Sequence, residues 1–221
     1  MILSESIQLE PRRVEALRRL ARQGEGTHLE FKRKVSHPDK VIREMVAFAN
    51  TGGGTLLIGV DDDGRIPGVK FPEEELVVLK KALQQRCRPP LTFEEQFIPV
   101  SAHRFVVQVE IPVSPRRPHV VVFDGRKECY VRVRDMSVKA SREMQEIVRR
   151  MKKPRDIRFI FGSHEKQLME YLEERGSITL QQFRALAKLN RFNAAKKLIL
   201  LVLAGVLRVE PTEKGDFYSR A

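Results

Sequence analysis

Acidic residues near the start of the chain could do metal chemistry. Glu25 and Glu30 lie close in sequence, Lys32 follows two residues later, and an acidic triplet, Asp61-Asp-Asp63, ends a nearby apolar segment. Carboxylates that converge on one point bind hard divalent cations such as Mg²⁺ or Mn²⁺. A cation held in this way can activate water against a phosphodiester. The residue types therefore allow a metal-dependent phosphodiesterase site.

A simpler interpretation of the same residues is that they do no chemistry. Asp61-Asp-Asp-Gly64 has the composition of a tight turn, and Glu30 could pair with Lys32 or with a nearby arginine. Turn composition and surface ion pairs are both common in proteins without catalytic function. Considered without further information, the residues favour this second interpretation.

The elements that position these residues are predicted from hydrophobic spacing. A helix over 9–23 has an apolar face and an arginine-rich face, and a strand over 28–33 alternates apolar and polar residues. Leu29 and Phe31 should point inward, which leaves Glu30 and Lys32 together on an outer face. A second helix covers 39–49, and a central strand covers 55–60. Further helices are predicted over 73–86 and 141–151, and further strands over 93–100, 105–111, 120–123 and 129–134.

A second domain is predicted after a charged, proline-containing junction at 152–158. Beyond it, three helices are expected over 164–174, 180–189 and 193–203, and two short strands over 206–209 and 217–219. Thr179-Leu-Gln-Gln182 has the form of a capping box. This order predicts a winged helix-turn-helix. The predicted domains are residues 1–153 and 160–221.

The charge of the chain points to a polyanionic partner. The formal net charge is +12, of which +3 falls in residues 160–221 and +9 in the remainder. Such a surplus favours nucleic acid. In the first domain, candidate contact residues are Lys32, Arg33 and Lys34. In the second they are Arg191, Asn193, Lys196 and Lys197, on a helix that would enter the major groove. The alternative for this second domain is protein binding or dimerisation.

Several other classes are disfavoured. The longest apolar run, 198–207, is about half the length of a membrane span. Cys87 and Cys129 are isolated, so neither a zinc pair nor a disulfide framework is indicated, and a reducing cytoplasm is the expected location. A glycine pattern before Val60 resembles a phosphate loop, but that residue and Asp61 replace the required Lys and Ser/Thr. No cofactor is expected apart from Mg²⁺ or Mn²⁺ in the nuclease alternative.

Three separated blocks resemble the Schlafen AlbA_2 family, also described as a divergent AAA-4 domain. The blocks are Gly24-Glu25 with Leu29-Glu-Phe-Lys32, Ala47-Phe-Ala-Asn-Thr-Gly-Gly-Gly54 with Leu57-Ile-Gly-Val-Asp61, and Tyr130-Val-Arg-Val-Arg134 with Ser137 and Ala140. They cover roughly residues 20 to 150 in the family order. The resemblance implies an α/β (α+β) domain with a mixed sheet that binds nucleic acid.

The resemblance also frames the functional alternatives. Prokaryotic members are often joined to a winged helix and described as transcriptional regulators, which implies a DNA-binding protein, with DNA favoured over RNA and a homodimer matched to a palindromic site. Some animal relatives are endoribonucleases with two glutamates and an aspartate. In this chain the corresponding residues are Glu25, Glu30 and Asp61, with Lys32 nearby. The resemblance implies that the three carboxylates are catalytic and bind metal. A partner-binding adaptor is a third alternative.

Overall fold

The computed structural model describes residues 11–151 and 159–221. These residues contain seven helices and twelve strands. The helices are α1 (Pro11–Gln23), α2 (Pro38–Asn50), α3 (Pro72–Arg86), α4 (Arg142–Met151), α5 (Ser163–Arg175), α6 (Leu180–Leu186) and α7 (Arg191–Leu203). The strands are β1 (Leu29–Lys32), β2 (Gly54–Ile58), β3 (Cys87–Arg88), β4 (Glu94–Ser101), β5 (Arg104–Ile111), β6 (Val120–Phe123), β7 (Arg126–Glu128), β8 (Tyr130–Val133), β9 (Met136–Lys139), β10 (Ser177–Thr179), β11 (Leu207–Thr212) and β12 (Gly215–Arg220).

The chain divides into two compact units. The first comprises Met1–Ser114 and His119–Ser137, and the second comprises Pro115–Pro118 and Val138–Ala221. The predicted domain junction at 152–158 lies outside the described residues. The two predicted domains, 1–153 and 160–221, therefore stay a prediction.

A four-stranded mixed sheet forms the centre of the first unit. Its strand order is β1-β2-β5-β4, with β1 parallel to β2 and the other pairs antiparallel. The predicted mixed sheet is confirmed. Alternate residues of β2 face opposite sides: Leu57 packs with α1, whereas Leu56 and Ile58 pack with α2 and α3. Because both faces are covered by helices, β2 is apolar throughout, as predicted for a central strand.

Glycine turns follow α2 and β2. The residues after α2 reverse direction at Gly53, where φ is +72° and the amide donates to the Phe48 carbonyl at 2.8 Å. After β2, the Gly64 amide donates to the Asp61 carbonyl at 2.8 Å, and φ at Gly64 is +81°. Glycine adopts positive φ without steric cost. The two turns reverse the chain before β2 and after the acidic triplet that follows this strand.

The second unit contains α4 to α7 and a small antiparallel sheet of order β10-β12-β11. Its core includes Leu168, Phe183, Leu198 and Tyr218. The predicted capping box is confirmed, since the Gln182 amide donates to the Thr179 hydroxyl and the Thr179 amide donates to the Gln182 side chain at 2.8 Å. The sequence analysis missed the short strands β3, β7, β9 and β10, and it extended α6 by three residues.

Candidate nucleic-acid interface and acidic cluster

Glu30 lies inside the first unit, not on its surface. Leu29 and Phe31 are buried against α1, as predicted. Glu30, on the opposite face of β1, is only 5% exposed. The predicted outer face for Glu30 is therefore wrong. The reason is tertiary, because α2 and β8 cover that side of the strand.

Arg132 of β8 occupies the centre of this covered region. Its side chain is 1% exposed and pairs with two carboxylates, at 2.7 Å from Glu30 Oε2 and 2.8 Å from Glu44 Oε2. It also donates to the Gly26 carbonyl, at 2.8 Å through one of its terminal nitrogens. A buried charge is tolerated when it is paired and hydrogen-bonded. Arg132 therefore ties β8, β1 and α2 together through complementary charge.

Lys32 completes the cluster. Its ammonium group forms a close ion pair with Glu30 and donates to the Phe31 carbonyl at 2.8 Å. The pairing of Glu30 with lysine and with arginine, which the simpler interpretation predicted, is present. We call Glu30, Lys32, Glu44 and Arg132 the buried ionic cluster. Its four formal charges cancel.

Glu25 and Glu44 have perturbed acidity next to this cluster. Burial raises the pKa of Glu25, and the nearby Glu30 carboxylate adds to the increase, although the carboxylate accepts the Phe31 amide at 2.8 Å. Burial likewise raises the pKa of Glu44, against the hydrogen bond from Ser137. Both carboxylates are destabilised in their charged form. Such perturbation is typical of functional sites, but buried ion networks also produce it.

Asp61, the third carboxylate of the nuclease interpretation, has different neighbours from Glu25 and Glu30. Asp61 is within 3.7 Å of Arg33 and 3.9 Å of Arg65. The triplet residue whose charge acts on Glu25 is Asp62. Glu25 and Glu30 are thus near one another, whereas Asp61 is balanced by arginines.

The arrangement does not fit a divalent metal ion. Within residues 11–151 and 159–221, no three His, Cys, Asp or Glu side chains lie close enough to hold one. Two cationic side chains already take the oxygens of Glu30 that a metal would need.

A basic cavity opens at the start of α2, beside the cluster. Its volume is about 300 Å³, and its lining contains no acidic residue: Lys32, Arg33, Lys34, Ser36, His37, Lys40 and Val41. The predicted contact residues Lys32, Arg33 and Lys34 are all brought together here. Lys40 was missed, although its place in the first turn of a helix beginning at Pro38 could have indicated it. The cavity presents clustered cations to solvent.

The other predicted contact residues are on α7, and the structure separates them into two groups. Arg191 pairs with Glu143 at 2.9 Å, and Lys197 pairs with Glu165 at 2.5 Å. Although burial disfavours the Glu165 charge, the hydrogen bond from Lys197 leaves its pKa lowered. Asn193 and Lys196 are exposed. Lys196 is therefore the cation among these four residues that has no ion pair in the described part of the chain, and Asn193 is uncharged.

Sequence reasoning missed Glu44 and Arg132 as members of the cluster. Arg132 lies in the Tyr130-Val-Arg-Val-Arg134 block, which was recognised as a motif but given no role. Its partners are 88 and 102 residues away in sequence. No local spacing connects residues so far apart. A charged residue between two apolar strand positions was the one available signal.

These features define a mixed α+β protein with a basic surface. Comparison with known proteins assigns the chain to a family. The model of the family described as Schlafen, AlbA_2 matches residues 25–141. The chain belongs to this family, which associates it with nucleic acids and confirms the resemblance for that domain. A comparison with curated proteins finds no match. No helix in the described ranges is long and apolar enough to cross a membrane.

Two solved structures show weaker similarity. The N-terminal domain of a RecG-related protein from Nitrosomonas europaea is 23% identical, with a TM-score of 0.44 over 57% of this chain and 92% of that one. The DIP2311 protein from Corynebacterium diphtheriae is 18% identical, with a TM-score of 0.46 over 95% of this chain. The match covers 43% of the length of that protein.

Proposed function

We propose that this chain is a DNA-binding transcriptional regulator. The AlbA_2 domain would supply affinity through phosphate contacts, and residues 160–221 would form a winged helix-turn-helix that reads sequence. The observation that carries the proposal is the basic cavity with no acidic lining residue, in a chain of net charge +12. Phosphate contacts of this kind fix position and affinity, whereas base contacts specify sequence.

The helical surface near the chain start supports a polyanion partner. Five exposed arginines lie on α1: Arg12, Arg13, Arg18, Arg19 and Arg22. Glu15 is 4.0 Å from Arg18 and from Arg22. Together with the basic cavity, this surface would attract phosphates at long range and raise the association rate.

The element order of the second unit supports the winged helix. A helix, a short strand, two helices and a two-stranded hairpin follow one another from α5 to β12. In this arrangement α7 would be the recognition helix. Asn193 and Lys196 would contact DNA directly. Arg191 and Lys197 would do so after exchanging Glu143 and Glu165 for phosphate or base acceptors.

Binding can be tested by fluorescence anisotropy with labelled duplex DNA over a range of salt concentrations. The double substitution Lys34→Gln/Lys40→Gln removes two cavity cations. We expect weaker binding, and a salt dependence shallower by about two released ions, since each phosphate contact contributes about one. The matched control is Lys81→Gln, which removes one exposed lysine on α3. Equal salt slopes for all three proteins would refute the cavity as a phosphate site.

The preference for DNA and the homodimer are also proposals. Selection of bound sequences from a random pool should enrich a palindrome if two copies bind with two-fold symmetry. Sedimentation with and without that DNA reports the number of copies directly. Tighter binding to matched RNA, or monomers under both conditions, would contradict these two points.

The second candidate function is a Mg²⁺- or Mn²⁺-dependent nuclease that uses Glu25, Glu30 and Asp61, with Lys32 at the phosphate. The proximity of Glu25 and Glu30 favours it. It requires Glu30 to exchange its two cationic partners for a metal. Labelled tRNA and DNA incubated with the protein and Mn²⁺ provide the test. Cleavage that Glu30→Gln abolishes would support the nuclease, whereas intact substrate that is still bound would support the regulator.

A further inference from the structure

A cavity of about 390 Å³ within the second unit contains groups that no part of the proposed function uses. It lies where α6 and β12 meet the first turn of α4. Its lining includes the acids Glu143 and Asp216, the cations Arg184, Arg191 and Lys214, and Tyr218. Both signs of charge therefore face one small volume.

The hydroxyl of Tyr218 is the group that the protein itself leaves unsatisfied. Tyr218 is fully buried, and its hydroxyl has no partner in the described part of the chain that meets both the distance and the angle of a hydrogen bond, although the Asp216 carboxylate lies near enough to act on it. A buried hydroxyl without a partner is energetically unfavourable. Burial and the nearby Asp216 carboxylate raise the tyrosine pKa, so the group stays protonated and can donate. A ligand oxygen in the cavity would satisfy it.

The acidic residues of the lining can accept a positive group. Glu143 is 8% exposed and accepts one hydrogen bond from Arg191 at 2.9 Å, and Asp216 accepts one from Ser141 at 2.5 Å. An ionised carboxylate can accept more bonds than this. Burial raises the pKa of Asp216, and the Glu143 charge raises it further. Two carboxylates that destabilise one another are stabilised by a bound cation.

The basic residues of the lining can accept a negative group. Arg184 and Lys214 are both exposed, and neither has an ion pair among the described residues. Guanidinium and ammonium groups each bind a carboxylate through charge-assisted hydrogen bonds. A ligand with one charge alone would meet side chains of the same charge in the lining. A ligand with both charges would be complementary to the whole of it.

We propose that this cavity binds a small zwitterion of the amino-acid class. Its ammonium group lies against Glu143 and Asp216, and its carboxylate lies against Arg184 and Lys214. The Tyr218 hydroxyl donates to a ligand oxygen. The site shares the Arg191–Glu143 pair with the proposed recognition helix, but its binding is measured without nucleic acid, so the two proposals can fail separately.

Isothermal titration calorimetry on the full chain tests the site, with the standard L-amino acids as probes. We expect saturable binding of at least one. The matching acid without the amine, and the matching amine without the carboxylate, should each bind roughly tenfold more weakly, as expected when a buried polar partner is lost. No binding by any amino acid, or equal binding by both analogues, would overturn the proposal.

Substitutions place the binding in this cavity. Tyr218→Phe removes only the hydroxyl, and Arg184→Gln changes an exposed residue, so both should fold; both should weaken binding by about fivefold to tenfold. Arg208→Gln, at an exposed position on β11 outside the lining, is the matched control and should bind as the unchanged protein does. Unchanged affinity in the first two variants would rule out the cavity as the site. Far-UV circular dichroism verifies that each variant is folded.

Discussion

Replacing Arg132 with methionine tests whether the buried ionic cluster holds the first unit together. Arg132→Met keeps much of the side-chain volume but removes the cation between Glu30 and Glu44. Removing one partner of a buried pair costs about 3–5 kcal/mol, because the remaining charge has no compensation. Lys32 still pairs with Glu30, whereas Glu44 keeps only the short hydrogen bond from Ser137 as its described side-chain partner. We therefore expect most of the loss to arise at Glu44.

The assay is urea unfolding of the full chain, followed by circular dichroism at several pH values. Adding Glu30→Gln and Glu44→Gln to Arg132→Met should restore a large part of the stability, since no buried charge is then left unpaired. Arg126→Gln is the control, because this arginine is exposed on β7. A loss below about 1 kcal/mol for Arg132→Met, or no recovery in the triple variant, would refute the reasoning.

The pH dependence of the same variant has a defined sign. The pKa of Glu44 is already raised by burial in the unchanged protein. Without Arg132 the pKa of Glu44 should rise further. In the folded protein the protonated carboxyl is then favoured over the charged one. A group whose folded pKa exceeds its unfolded pKa contributes stability below the unfolded value, and this contribution is lost as the pH rises through the folded value. The deficit of Arg132→Met should therefore be larger near neutral pH than in mild acid.

Three further predictions concern single groups. Burial raises the pKa of Cys87 to about 11 and that of Cys129 to about 12; both thiols should resist a disulfide reagent at neutral pH in the folded protein and react in urea. Thr179→Ala should cost about 1 kcal/mol in urea unfolding by removing the α6 cap, whereas Ser177→Ala should not. Hydrogen bonds from neighbouring arginines lower the pKa of Glu146 to about 2, so its contribution is present above the unfolded pKa and lost as the pH falls towards 2; because the pair is exposed, Glu146→Gln should cost less than about 1 kcal/mol near neutral pH.

Local patterns in the sequence were sufficient to predict most of the secondary structure. Helix α3 was predicted to within one residue, and the central strand β2 was identified from its continuous apolar run. The capping box at Thr179 and the turn that ends at Gly64 were also predicted correctly. These features depend on residues within a few positions of one another. The family could be recognised for the same reason, since its motifs are short local blocks.

The environment of Glu30 was decided by the tertiary structure alone. Alternation along β1 shows which residues share a face, but it does not show what covers that face. Arg132, 102 residues later, turns an apparent surface carboxylate into a buried and neutralised one. The pairing of Arg191 with Glu143 likewise depends on residues 48 apart. Charge and spacing are properties of the sequence, whereas the partner of each charge depends on which distant elements the fold brings together.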